Sequence, residues 1–182
     1  AVMDFLIALI SLILLSPLFI VVAIAIKIDS KGPVFFTHKR IGKNNKEFTC
    51  IKFRSMAVEA RPDVAGYEYQ EVNAYITKVG KFLRKTSLDE LPQLINIING
   101  DLSIIGPRPV VADELEKYGV NKDKFLSVTP GLTGYWAANG RSNTTYEQRM
   151  EMELYYIDNI SPKLDVKIFF KTIESVIKKE GA

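Results

Sequence analysis

KTSLDELPQLINIINGDLSIIGPRP, residues 85–109, decides the reading of this chain. Two adjacent carboxylates, Asp89 and Glu90, stand where a helix is expected to begin, and Asn99-Gly100 marks a turn further on. A short apolar run then ends in Gly106-Pro107-Arg108-Pro109, where two prolines fix φ on either side of one arginine. An acid pair, a turn and a clamped cation suit the handling of a phosphate. The competing reading is a capping box, with Ser87 as N-cap and Glu90 at N3. Pro92 argues against it, because it would then sit inside the helix and remove a backbone bond. A helix starting at Asp89 puts Pro92 where no intrahelical N–H is needed. It also leaves Asp89 at the positive helix end, which favours the ionised form. From this segment alone, capping and catalysis both stay open.

The totals bound what the rest can be. The 182 residues make one domain, or one domain with an appendage, and a net charge of +3 is too mild to imply a nucleic-acid partner; none is expected. A single cysteine, Cys50, excludes an intramolecular disulfide and is consistent with a reducing compartment. A single histidine, His38, cannot build a histidine-rich zinc site. A Cys50–His38 nucleophile pair competes with an ordinary packed thiol, and no third orienting group is evident.

Upstream, Phe5 to Ile26 contains no charged residue and is long enough to cross a bilayer core of about 30 Å. Ser16-Pro17 sits at its middle, where proline removes an N–H and kinks a helix. Three paths compete: a kinked spanning helix, a helix that enters and turns back, and a cleaved signal peptide. Asp4, in place of a positive leader, weighs against the last. A path that turns back needs its freed backbone groups satisfied, for instance by the Ser16 hydroxyl. Lys27, Lys31, Lys39 and Arg40 follow closely and put the remaining chain on the cytoplasmic side.

Val34–Thr37 and Phe48–Phe53 read as a hairpin turned at Gly42-Lys43-Asn44-Asn45. Alternation puts Cys50, Lys52 and Arg54 on one face, either to serve a diphosphate or as a solvated surface. Glu59 to Glu71 is polar and reads as a loop or weak helix. Ile76, Val79 and Leu83 mark a helical face, and Val110–Tyr118 reads as helical. Thr129 to Trp136 is dense in turn residues around the only tryptophan, and Asn139-Gly140-Arg141 follows. Such a loop suits a base or sugar and a phosphate, or simply seats a core tryptophan. Thr144-Thr145-Tyr146-Glu147 reads as a capping box before a helix striped by Met150, Leu154 and Ile157. Ser161-Pro162 opens a last helix whose Val166, Phe169, Phe170, Ile173 and Ile177 share one face. Lys167, Lys171, Lys178 and Lys179 mostly take another face, so this helix either lies on a membrane surface or packs on a core.

Several ordered blocks together resemble a known family: Cys50-Ile51-Lys52-Phe53-Arg54-Ser55-Met56, Lys85 through Pro109, Pro130-Gly131-Leu132-Thr133-Gly134 and Asn139-Gly140-Arg141. Over nearly its whole length the chain resembles the bacterial sugar transferase domain of the monotopic polyprenol-phosphate phosphoglycosyl transferases. It is most similar to small members that begin protein glycosylation with a sugar such as diacetylbacillosamine.

The resemblance implies an α+β fold, mostly helical with a small β-hairpin or sheet. It implies a re-entrant membrane helix over residues 1–27, broken at Ser16-Pro17, and a cytoplasmic catalytic domain over 28–182 with interfacial amphipathic helices. It implies Asp89 as a nucleophile on the β-phosphorus of a UDP-sugar, Glu90 as its partner, and Mg²⁺ at the Asp89 carboxylate. Undecaprenyl phosphate is the implied acceptor, at the cytoplasmic face of the bacterial inner membrane. Lys52, Arg54, Arg108 and Arg141 are then open to phosphate binding. The chain departs from many members in carrying Ala137-Ala138 where they carry Gln-Val, and a natural start upstream of Ala1 is expected. A nucleotide-sugar hydrolase and a non-catalytic membrane adaptor are the rival classes.

Overall fold

The computed structural model describes residues 2–58, 74–140 and 143–178. Helix α1 (Val2–Asp29) comes first, then a hairpin of β1 (Phe35–Ile41) and β2 (Glu47–Phe53) paired from Phe35↔Phe53 to Ile41↔Glu47. Asn44 and Asn45 adopt φ of 56° and 61°, the left-handed conformation that asparagine tolerates in tight turns, as the sequence suggests. Helix α2 (Lys78–Lys85) leads through a 3₁₀ turn, Leu88–Glu90, into α3 (Gln93–Ile98). A two-stranded parallel sheet joins β3 (Ser103–Ile105) to β4 (Gly131–Thr133), and α4 (Ala112–Glu116) and α5 (Lys122–Leu126) lie between them in sequence. Then come α6 (Tyr135–Asn139), α7 (Tyr146–Asp158) and α8 (Pro162–Ile177). This is the expected mostly helical α+β arrangement with a small hairpin.

The helix expected to break at Ser16-Pro17 is helical on both sides of the pair, with Pro17 inside it. Pro17 has no N–H to give the Ile13 carbonyl four residues back. The Ser16 hydroxyl donates to that carbonyl at 2.8 Å instead. The proline therefore leaves no orphaned acceptor on a helix whose flanking surface is apolar.

Helix α1 lies along the body over both of its halves. Ala8, Leu12 and Leu15 pack with Phe48, Leu94, Ile97 and Leu102, while Leu18, Phe19, Val22 and Ile26 pack with Phe53, Leu83, Leu88 and Leu91. Its ends are fastened as well: Asp4 accepts from the Ile104 N–H at 3.4 Å, and Asp29 from the Val79 N–H at 2.9 Å. The rest of its surface, including Leu6, Ile10, Ile13, Leu14, Ile20, Val21 and Ile24, is exposed apolar side chain.

Helix α8 resolves its two-way reading. Val166, Phe169, Phe170, Ile173 and Ile177 face outward, with Phe170 65% exposed, whereas Ile168 at 1% and Ser175 face the body. The inward side is small and polar in part, since the Thr133 hydroxyl meets Thr172 at 2.8 Å. Ser161 caps α8 through the Leu164 N–H with Pro162 in the first turn, as the sequence predicts.

Smaller readings shift. The α7 capping box uses Thr145 with Gln148, one residue on from the expected Thr144 and Glu147. Ile76 bridges to Met56 instead of joining α2. The helix expected over Val110–Tyr118 is limited to α4, with Val110 bridged to Ile41. The expected loop or weak helix over 59–71 lies outside the described residues.

Candidate active site

The acid pair lies on the 3₁₀ turn between α2 and α3, not at a helix N-terminus. Ser87, the residue before it, is left-handed with φ 58° and ψ 16° and makes no side-chain cap, so neither the capping box nor an Asp89 cap exists here. Holding serine in that conformation costs about 1 kcal/mol or more, and it reverses the chain just ahead of the two carboxylates. Leu88 and Leu91, on either side of the pair, pack into the cluster shared with α1. The carboxylates are thereby seated next to the apolar helix.

Helix α3 is stitched to β2 by one buried amide. Asn96 Nδ2 donates to the Thr49 carbonyl at 2.8 Å, and Asn96 Oδ1 accepts from the Ile51 N–H at 3.1 Å. This lock sets Lys52, the next residue along β2, against the acid pair. Its Nζ lies 2.8 Å from Glu90 Oε1, and Arg108 reaches the same oxygen at 3.6 Å. Four of the residues singled out in the sequence, Asp89, Glu90, Lys52 and Arg108, thus form one cluster.

Arg54 is not brought into it. Only 5% exposed, it donates to the carbonyls of Pro33 at 2.6 Å, Ser30 at 3.0 Å and Met56 at 3.4 Å. Strand alternation placed it beside Lys52, but the strand ends at Phe53 and the guanidinium turns back to tether the α1–β1 link. Arg141 lies outside the described residues.

Asp89 departs from an ordinary exposed carboxyl. Burial first, then the neighbouring Glu90 charge, push the Asp89 carboxyl up from 3.8 to about 6, against the opposing pull of Lys52 and Arg84. The sequence expectation that a helix terminus would favour its charge is corrected by this desolvation. Asp89 is still mostly ionised at neutral pH, held as a carboxylate that gains from a nearby cation.

Arg108 owes its position to interlocking turns. A Cβ on Gly131 would lie 2.1 Å from the Gly106 nitrogen, and one on Gly134 would lie 2.1 Å from the Gly106 carbonyl oxygen. The Gly106 N–H donates to Thr133 at 2.9 Å and the Gly131 N–H to Pro107 at 2.9 Å. The glycines of the Pro130–Gly134 block therefore serve backbone contact with the Arg108 turn. Trp136 is half-buried, donates to the Thr144 hydroxyl at 2.8 Å, and has the guanidinium carbons of Arg149 and Arg108 at 4.7 and 5.8 Å from its ring.

A small recess beside Glu90 is also lined by His38, Arg40, Cys50, Lys52, Gln93 and Arg108. His38 and Cys50 are cross-strand partners, but burial drives the imidazole down to about 3 and the thiol up. A neutral imidazole beside a protonated thiol is no activated nucleophile pair, so Cys50 is a packed thiol. The sequence reading missed Arg40, Gln93 and Glu153 as parts of this region. Gln93 is buried with its Nε2 lacking a partner among the described residues, and nothing in its local sequence marks it. Nothing local to the sequence marks Glu153, which is 1% exposed and pushed by burial to about 7.

Comparison with known proteins gives the family. The family model described as bacterial sugar transferase matches residues 1–179. The chain belongs to the bacterial sugar transferase family. Within this transferase family it is 42% identical to the exopolysaccharide production protein ExoY of Sinorhizobium fredii, covering 98% of this chain and 85% of that protein. It is 40% identical to the undecaprenyl-phosphate galactose phosphotransferase of Salmonella typhimurium, over 94% of this chain and 39% of that one. It is 41% identical to an uncharacterized sugar transferase of Haemophilus influenzae, over 99% of this chain and 41% of that one. The chain thus spans about two fifths of the length of the latter two relatives.

Proposed function

We propose that this chain transfers a sugar phosphate from a UDP-sugar to undecaprenyl phosphate at the cytoplasmic face of the bacterial inner membrane. The observation that carries the reading is the seat of the acid pair: Asp89 and Glu90 are flanked by Lys52 and Arg108 on one side, and by leucines packed on the apolar helix α1 on the other. A water-soluble nucleotide sugar and a lipid phosphate can meet only at such a boundary. The exposed apolar faces of α1 and α8 support seating in one leaflet. Both ends of α1 are bonded to the same body, which supports a helix that re-enters on the side it left.

In this reading an Asp89 carboxylate oxygen attacks the β-phosphorus and forms an acyl–phosphate bond. The bond from that phosphorus to the bridging oxygen breaks, and UMP leaves with the electron pair. A phosphate oxygen of the polyprenol phosphate then attacks the same phosphorus, and the Asp89 carboxylate is released. Lys52 and Arg108 hold the phosphate oxygens as charge shifts between them, and Glu90 orients both cations.

The residues fit Mg²⁺: two adjacent carboxylates, one raised by burial and by its neighbour, leave charge that a divalent ion relieves, and Mg²⁺ takes few protein ligands. Asp89 would hold the ion, which when bound supplies positive charge to the diphosphate oxygens.

The test is incubation with UDP-sugars and Mg²⁺ without lipid. Release of UMP with the mass of a sugar phosphate gained by the protein, both lost in Asp89→Asn, is the expected result. Free turnover without lipid would mean a hydrolase, and no reaction with any UDP-sugar would mean an adaptor. The same screen names the sugar, with UDP-diacetylbacillosamine among those tried.

A further inference from the structure

Pro107 and Pro109 have no N–H, so Arg108 carries the only backbone donor within the Pro-Arg-Pro turn. That donor goes to Glu153 Oε1 at 3.0 Å, from a residue in the middle of α7. Glu153 is 1% exposed, and its Oε2 has no hydrogen-bond partner among the described residues. That oxygen points toward Gly134, where a Cβ would lie 3.9 Å from it. A buried carboxylate with so few bonds is a poor stabiliser, and an apolar side chain of similar volume would serve packing better. Its one hydrogen bond among the described residues is with the turn that presents Arg108.

The same helix also addresses the far end of Arg108. Arg149, one turn before Glu153, has its guanidinium carbon 4.7 Å from the Trp136 ring centre, and that of Arg108 lies 5.8 Å from it. Two cations sharing one ring repel, and the Arg108 guanidinium also reaches Glu90 Oε1 at 3.6 Å.

We propose that Glu153 is the positioning residue for Arg108: its carboxylate holds the Pro-Arg-Pro turn so that the guanidinium stays at Glu90 and the substrate phosphate. The inference rests on the reading of Arg108 as a phosphate-binding cation, and part of its test does not depend on that reading. Hydrogen exchange followed by mass spectrometry on the detergent-solubilised full chain reports the turn directly. The prolines contribute no amide, so Arg108 is the only exchanging amide from Pro107 through Pro109. Glu153→Leu is expected to speed exchange at Arg108 at least ~10-fold while keeping the wild-type melting temperature or raising it; Glu153→Met serves where Leu does not fold. Unchanged exchange in the apolar variant overturns the proposal whatever the enzyme does.

The second arm is a double-mutant cycle on UMP release. Glu153→Leu is expected to lower kcat by ~10- to 100-fold in the wild-type background, the scale of a displaced positioning group, and by less than ~3-fold in Arg108→Ala. Glu153→Gln, whose amide oxygen can accept the same N–H, should recover most of the loss. Equal losses in both backgrounds, or a loss that tracks a falling melting temperature, overturn the proposal. Wild-type chain that releases no UMP refutes the transferase reading, and the exchange arm still decides the role of Glu153.

Discussion

Asp89→Asn should make the protein more stable while ending its chemistry. The carboxyl is raised from 3.8 to about 6 by burial and by Glu90, so the folded chain holds its proton more tightly than the unfolded chain does. Wild-type stability therefore falls as pH rises from about 4 through about 6, and stays lowered above that. Two units at about 1.4 kcal/mol each set an upper bound of about 3 kcal/mol. Residual solvent at this half-buried group, and the hydrogen bond from its own backbone N–H, reduce the expected gain to about 1–2 kcal/mol at pH 7. For a chain of this size that is roughly 2–8 °C in melting temperature. The assay is thermal unfolding in detergent followed by the emission of Trp136, for both forms between pH 4 and 8. The gap between Asn and wild type should be near zero at pH 4 and open through pH 6. An Asn variant that melts at or below wild type at pH 7, or a gap independent of pH, would refute the claim that this carboxylate is charged against its surroundings. The same variant should form no sugar-phosphate adduct.

Other perturbations separate chemistry from scaffold. Lys52→Met removes a charge that lowers the Asp89 pKa, so the acid limb of the pH–rate profile, near pH 6 in the wild type, should move to higher pH as UMP release drops ~100-fold. Arg54→Met orphans three backbone carbonyls and should cost about 2–4 kcal/mol by chemical denaturation, with kcat per folded molecule unchanged. Gly131→Ala forces the Gly106 and Gly131 backbones apart and should cost more than about 2 kcal/mol, together with a higher KM for the nucleotide sugar. Phe170→Asp with Ile177→Asp should weaken co-flotation with anionic vesicles and leave the melting temperature within a degree or two, because both side chains already face outward.

Much of this protein is local in origin, and there the sequence alone determines it. The apolar run to Ile26, the Asn44-Asn45 turn, the Ser161-Pro162 cap and the period of α8 depend on residues a few positions apart. The same holds for the acid pair and the proline-clamped arginine, whose spacing is visible without any fold. Ser16 even foretold its own bond to the carbonyl that Pro17 leaves behind.

Tertiary structure decided whatever depends on distance and burial. Strand alternation grouped Lys52 with Arg54, yet only the packed molecule sends one to Glu90 and the other to three carbonyls. Periodicity gave α8 an apolar face, but whether that face meets a core or the outside is a property of its neighbours. Asp89 lacks its expected helix-terminus stabilisation because it sits on a 3₁₀ turn ahead of α3, and desolvation raises its carboxyl once Leu88 and Leu91 are packed down beside it. Glu153 left no trace in the sequence, since nothing within a few residues of it distinguishes a surface glutamate from one buried beneath Arg108.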